Sequence, residues 1–164
     1  MSHYILRPFN HADLPLVARW LKTPGVIRWW GNPEHELALL THDLNEPLMR
    51  QWIVEYQGRP FAYAQTYRAG AWPQHHLKHL CPDTQMIDTF IGEPNMLGQG
   101  HGGAFLRKLA QKLIDEGSPA VAIDPDARNA RARRAYARAG FEGEKVVNSP
   151  EGPVVVMVFS RPVS

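Results

Sequence analysis

The sequence predicts a single mixed α/β domain, and three observations carry that expectation. Segments of strand period alternate with segments of helical period along the chain. The apolar run QMIDTFIG (85–92) leads into the glycine-rich stretch LGQGHGGA (97–104) and straight on into FLRKLAQKLIDEG, so a strand, a turn and a helix form one central unit. At 164 residues, 44% hydrophobic and 21% charged, the chain suits one soluble globular domain, 1–164, with a core of its own.

Each element follows from its local pattern. HYILRPF (3–9) alternates as a strand, and HADLPLVARWLK places Leu14, Val17, Trp20 and Leu21 on one helical face behind Asp13 as a candidate cap. The segment 23–36, TPGVIRWWGNPEHE, is broken by proline and glycine and reads as a loop or a broken helix carrying Trp29 and Trp30. A helix resumes over 34–44. RQWIVEYQ (50–57) and RPFAYAQTYR (59–68) are strands joined by a Gln57-Gly58 turn. The histidine-rich stretch 69–84, AGAWPQHHLKHLCPDT, is irregular and reads as an excursion from that sheet. The strand 85–92 precedes a helix over 102–116, and after Gly117 and Pro119 the segment AVAID is a short buried strand. NARARRAYARAGF is a helix ended by Gly140, and KVVNSPEGPVVVMVFSR is a closing hairpin. Its apolar run VVVMVF is a candidate edge strand for a dimer, so the chain reads as a monomer or a homodimer.

Charge and cysteine content narrow the function classes. With 18 basic and 16 acidic residues the formal charge is only +2, which argues against a general nucleic-acid surface. Cys81 is the single cysteine, so no intrachain disulfide forms and a reducing compartment is the simpler reading. The start MSHYILRPFNHADL has no basic segment followed by a long apolar run, and no stretch reaches membrane-spanning length. The expectation is a cytoplasmic protein without membrane or nucleic-acid partners.

Four glycines within eight residues ahead of a helix need a reason. Glycine permits positive φ, which turns successive N–H groups toward one point, and the helix N-terminus adds unpaired donors and partial positive charge. Such a turn holds phosphate. The alternative is a glycine-rich connection with no ligand, and the spacing alone leaves the two even. No Gly-Lys-Ser/Thr follows, so it is not a Walker loop, and it is a poor dinucleotide fingerprint.

The second half of the chain decides between them through a resemblance. Gln99, Gly102 and Ala104 match the Gln/Arg-x-x-Gly-x-Gly/Ala turn of the GCN5-related N-acetyltransferases (GNAT), and Asn129, Ala132, Tyr136, Gly140 and Phe141 match that superfamily's Asn-x-x-Ala-x-x-x-Tyr-x-x-x-Gly-Phe helix. WWG at 29–31, YAQTY at 63–67, Ile87-Asp88, Asp124-Pro125 and SPEGPVVVM resemble one branch, the aminoglycoside 6'-N-acetyltransferases, over nearly the whole chain. The resemblance implies a mostly antiparallel twisted sheet flanked by helices, with central strands 85–91 and 120–124 splayed to admit the pantetheine arm of acetyl-CoA. It implies that Phe90, Ile91, Gln99, Gly100, His101, Gly102, Gly103, Ala104, Asn129, Ala132 and Arg133 bind acetyl-CoA. The small-molecule amine would meet Trp29, Tyr67, Trp72, Asp88, Asp124 and Glu151, the last replacing the branch's aspartate. The implied reaction is direct acetyl transfer to the amine in a ternary complex.

Elementary chemistry supports these roles to different degrees. An amine attacks a thioester only as the free base, so a carboxylate beside it can attract the ammonium and take its proton, directly or through water. Asp88 lies in the apolar strand MIDTFI and is therefore partly buried with a partner or facing a cleft; a structural, backbone-capping aspartate is the alternative. Asp124 ends the AVAI strand, where α/β ligand sites gather, though a turn role fits nearly as well. Glu151 sits in a turn and by itself would be called solvated. Tyr136 falls on the inner face of its helix, either as an ordinary core tyrosine or, as the family implies, with its phenol on the thioester sulfur, protonating the leaving thiolate. A backbone N–H near 90–92 would hold the oxyanion. Arg128, Arg131, Arg133, Arg134 and Arg138 are mostly a solvated face, with one or two reaching the cofactor's 3'-phosphate. Asn129 touches pantetheine or caps the helix. Cys81 shows no nucleophile motif.

One departure bears on the acceptor. Where the branch carries tryptophans among acids, this chain has Trp72 and Asp83 with His75, His76, Lys78 and His79, a neutral or positive wall for a polycation. Another amino sugar, a polyamine or an amino-bearing metabolite is thus the second acceptor reading, and a non-catalytic acyl-CoA-binding module the reading outside enzymes. The three histidines lack a fourth ligand, so a flexible histidine-rich loop without metal is expected. Trp29 and Trp30 serve as core, as an aromatic wall for a sugar ring, or one of each.

Overall fold

A computed structural model describes residues 3–159. The elements run β1 (Tyr4–Pro8), α1 (Leu14–Leu21), α2 (Pro24–Trp30), α3 (Pro33–Asp43), β2 (Arg50–Tyr56), β3 (Arg59–Arg68), β4 (Gln85–Ile91), α4 (His101–Asp115), β5 (Val121–Ile123), α5 (Ala130–Ala139), β6 (Phe141–Glu142), β7 (Val146–Ser149), β8 (Gly152–Val155) and β9 (Met157–Phe159). Short 3-10 turns cover His11–Asp13, His75–Leu77 and Pro94–Met96. The sheet has seven strands in the order β1-β2-β3-β4-β5-β9-β6, and β7 with β8 forms a separate hairpin. The β1–β2, β5–β9 and β6–β9 pairs are antiparallel, and β4–β5 is parallel. This is the mostly antiparallel, helix-flanked sheet that the sequence predicts.

The chain divides into two compact units. The first takes the described residues up to Gln65 together with Thr89–Gln99; the second takes Thr66–Asp88 and the described residues from Gly100 onward. Strands β3 and β4 each contribute to both.

In the first unit, Val17, Trp20 and Leu21 of α1 are buried with Val26, Leu40, Ile53, Tyr63 and Phe90, as the helical spacing requires. The segment 23–36 is a broken helix: α2 ends where Gly31 takes φ 98°, and α3 restarts behind Asn32, whose side chain accepts from the His35 N–H at 2.9 Å. Trp30 joins the core, edge-on to Phe90 at 5.0 Å, while Trp29 is half-buried with the Arg28 guanidinium 4.6 Å from its ring. The β2–β3 turn forms as predicted, with positive φ at Gln57 and Gly58.

Asp13 is not the side-chain cap of α1. It closes a capping box with Asn10 and takes a two-pronged ion pair from Arg7, with both contacts at 2.9 Å. That partner lies in β1, and helical periodicity could not reveal it. The Arg7 hydrogen bonds hold the Asp13 carboxyl below its ordinary range. A depressed carboxyl stabilises the fold above its unfolded value, near 4, and loses that contribution as pH falls through the folded value. Asp13→Asn should therefore cost about 1–2 kcal/mol at pH 7, read by denaturant unfolding, and progressively less relative to the parent below about pH 4. A difference that does not change with pH would remove the ion pair as its cause.

In the second unit, β9 lies between β5 and β6, so the second half of the run VVVMVF is not a free edge. Its first half belongs to β8 and its second to β9, with the break at Val156. The Val156 carbonyl lies 2.2 Å from where a Cβ on Gly143 would sit, and Gly143 takes φ 156°. Gly103 likewise lets α4 approach α5, since a Cβ there would be 2.9 Å from the Ala135 carbonyl. One of the glycines in the turn thus has a packing reason as well.

Candidate active site

The β4–β5 ladder ends at Ile87 paired with Ile123, which makes Asp88 and Asp124 the next residue on each strand. Two carboxylates thereby stand together just past the last pair, Asp88 in the middle of β4 and Asp124 at the carboxyl end of β5, where α/β ligand sites gather. Pro125 has no N–H to extend the ladder, so β5 stops there.

Two phenols meet these acids. The Tyr67 hydroxyl, from β3, hydrogen-bonds Asp88; burial first, then Asp88 and Asp124, then Glu151, hold it well above its ordinary value. The Tyr136 hydroxyl, from α5, is raised by burial and then by the same two carboxylates, although the residue as a whole is half-buried. Both phenols therefore stay protonated at neutral pH and each keeps a hydrogen to donate. Trp72 makes a T-shaped contact with Tyr67 at 5.6 Å and is 37% exposed. Glu151 is exposed in the β7–β8 turn, yet its charge reaches Tyr67.

The histidine-rich stretch is not a wholly solvated excursion. His76 and Leu77 are buried, and His76 Nε2 lies 2.9 Å from Asp124 Oδ2. Burial holds the Asp124 carboxyl above its ordinary range, and the His76 hydrogen bond offsets this only in part. Only His75, Lys78 and His79 are left as an exposed wall, and Asp83 is engaged by Arg68 at 2.9 Å. Sequence reading missed this contact because 48 residues separate the partners; its only trace was that a carboxylate ending an apolar strand needs a partner. Among the described residues, no group of three or more His, Cys, Asp or Glu could hold a metal.

The start of α4 suits an anionic group. Gly98 and Gly100 take φ 73° and 85°, the left-handed region open to glycine. The Ala104 N–H makes a helix bond to the Gly100 carbonyl at 3.2 Å, leaving Gly102 and Gly103 ahead of it in the first turn. The other described α-helices reduce their unpaired first-turn N–H groups, α1 and α2 with a proline and α3 and α5 with an asparagine cap. Among the described α-helices α4 alone has neither, so the partial positive charge of its N-terminus suits an anion such as a pyrophosphate.

Around α5, Asn129 caps the helix by accepting from the Ala132 N–H at 3.2 Å. Arg133 Nη1 donates to the Ala127 carbonyl and Arg128 pairs with Asp126, while Arg131, Arg134 and Arg138 are exposed. The second unit thus brings together Asp88, Asp124, Tyr67, Tyr136, Trp72 and the charge of Glu151, and also holds Gly100–Ala104, Asn129, Ala132 and Arg133. Trp29, Phe90, Ile91 and Gln99 belong to the first unit. There the Phe90 ring is core against Trp20 and Tyr63, and Gln99 Nε2 donates to the Asn95 carbonyl at 2.6 Å.

The family description "Acetyltransferase (GNAT) domain" matches residues 10–149. The chain is 31% identical to aminoglycoside N(6')-acetyltransferase type 1 of Klebsiella pneumoniae, over 95% of this chain and 82% of that protein. Among solved structures, AAC(6')-Ib with paromomycin and acetyl-CoA superposes with TM-score 0.86 at 29% identity, covering 98% of this chain and 94% of the other. The same enzyme with coenzyme A and kanamycin gives TM-score 0.86 at 28% identity, covering 96% and 95%.

Proposed function

Since the chain belongs to the GNAT acetyltransferase family, we propose that it transfers acetyl from acetyl-CoA to a primary amine, with the 6'-amine of an aminoglycoside as the acceptor. The observation that carries this reading is the placement of Asp88 of β4 and Asp124 after β5 one step past the last β4–β5 pair, with two protonated phenols beside them.

Acetyl-CoA supplies the activated thioester. The α4 turn, 100–104, holds its pyrophosphate through backbone N–H groups, with Asn129, Ala132 and Arg133 alongside. Asp88 attracts the acceptor ammonium and receives its proton, directly or through water, so that the free amine attacks the thioester carbonyl. The Tyr67 hydrogen bond keeps the Asp88 carboxylate turned. Tyr136 donates its hydroxyl hydrogen to the departing sulfur, and the proton that the attacking nitrogen sheds as the amide forms returns through water to restore the phenol. Asp124 and Glu151 hold further ammonium groups, and Trp72 offers its edge to a sugar ring.

The whole chain, 1–164, acts as one domain, cytoplasmic, monomeric or dimeric, without a nucleic-acid partner. Its lone cysteine and near-balanced charge support that reading, and among the described residues no helix is long and apolar enough to cross a membrane.

Thiol release from acetyl-CoA with a panel of kanamycin, tobramycin, polyamines and simple amino sugars tests the proposal. Turnover confined to the aminoglycosides is expected. Turnover with another amine alone would shift the acceptor, and coenzyme binding without thiol release for any amine would favour an acyl-CoA-binding module. Gly102→Trp, placed in the first turn of α4, should weaken acetyl-CoA binding by about a hundredfold or more with the fold intact, as calorimetry and circular dichroism would read. Unchanged affinity would refute the phosphate turn.

A further inference from the structure

His76 stands outside the roles assigned above. Its side chain is 2% exposed, held in the 75–77 turn, with Nε2 2.9 Å from Asp124 Oδ2. Its Nδ1 is buried and has no hydrogen-bond partner among the described residues. That asymmetry selects a protonation state. An imidazolium would bury a second, charged N–H with no acceptor, which is costly; the neutral ring with its proton on Nε2 matches donor to carboxylate and leaves only a lone pair unmet. In that tautomer the histidine contributes a hydrogen bond and no positive charge. The hydrogen bond it donates favours the charged form of Asp124, while burial, the larger effect, holds that carboxyl above its ordinary range.

We propose that His76 is a positioning residue of the acceptor site, its neutral Nε2–H orienting the Asp124 carboxylate toward a second ammonium group of a polyamino acceptor. The inference rests on the reading of Asp124 as an acceptor acid, and it reverses the meaning of the histidine-rich stretch. Of its three histidines, the buried one supports the acidic site rather than opposing a cation. It also anchors the stretch that carries Trp72, since His76 and Leu77 are its buried members between Trp72 and Leu80. A leucine at 76 would fill much of the same space and remove the donor. A glutamine would retain an N–H that can reach the carboxylate.

The test compares His76→Leu and His76→Gln by steady-state kinetics with kanamycin and with 6-amino-6-deoxyglucose, which carries a single amine. His76→Leu should raise KM for kanamycin about tenfold to a hundredfold, the worth of a hydrogen bond to a charged group. The KM for the single amine, the KM for acetyl-CoA and kcat should each change by less than about threefold, and His76→Gln should recover most of the loss. An unchanged kanamycin KM in the leucine variant would overturn the proposal. So would equal losses in both variants for both acceptors with a lowered Tm, which mark a purely structural role. If the panel identifies another polyamine as acceptor, that amine replaces kanamycin in this comparison.

A second arm needs no acceptor. Long-range proton–nitrogen spectra of the wild-type imidazoles, with His76 assigned by its loss in His76→Gln, should show Nε2 protonated and Nδ1 bare, and Asp124→Asn should shift the Nε2 signal. An Nδ1-protonated or doubly protonated His76 overturns the inference. Absence of aminoglycoside turnover in wild type overturns the proposed acceptor and leaves this spectrum to decide His76.

Discussion

Tyr136→Phe should lower kcat for amine acetylation by roughly tenfold to a thousandfold while changing acetyl-CoA affinity by less than about twofold. The substitution removes one oxygen from the helix face that looks onto Asp88 and Asp124 and keeps the ring. Burial and the two carboxylates raise the phenol, so it remains protonated across any practical assay range and its contribution should not titrate between about pH 6 and 9. The variant's pH–rate profile should therefore run parallel to that of wild type. Single-turnover thiol release separates this loss from product release, and wild-type turnover would return Tyr136 to a packing role.

Gly92→Ala, a single added methyl, should destabilise the first unit by about 3 kcal/mol or more, or prevent soluble expression. A Cβ at this position would sit 2.1 Å from ring carbons of Trp20, which is fully buried. The indole cannot swing aside cheaply, because its Nε1–H donates to Glu93 at 2.9 Å and its face meets the edge of Phe90. The backbone is equally committed, with the Gly92 and Glu93 N–H groups both donating to the Phe61 carbonyl. For a domain of this size the loss corresponds to a fall in Tm of about 6–12 °C. A Tm within about 2 °C of wild type would show that Trp20 repacks and that Gly92 is not required there.

Much of the fold was legible because the information was local. The Gln57-Gly58 turn joins β2 to β3 as predicted, and Gly140 ends α5 in a left-handed conformation at φ 108°. The α1 face was readable from spacing alone, since every fourth side chain returns to the same side of a helix. Errors arose where a long-range partner overrode a local rule. Asp13 reads as a helix cap and instead pairs with Arg7 of β1. VVVMVF reads as one strand and is divided at Val156 between a hairpin and the interior of the sheet.

The candidate site divides in the same way. Its carboxylates, phenols and glycine turn were named from motifs, because each motif lies within one stretch of chain and its residue types are set by the chemistry of an amine, a thioester and a phosphate. The sequence by itself determined the class of fold and the glycine-opened helix, and it named Asp88, Asp124 and Tyr136 as candidates. Only the tertiary structure decided that Asp88 and Asp124 stand one step beyond the last β4–β5 pair, that Tyr67 turns to Asp88, and that His76 is spent on Asp124 rather than displayed to solvent. The reason is physical: a buried charge must find a compensating group, and which group it finds depends on how distant segments pack.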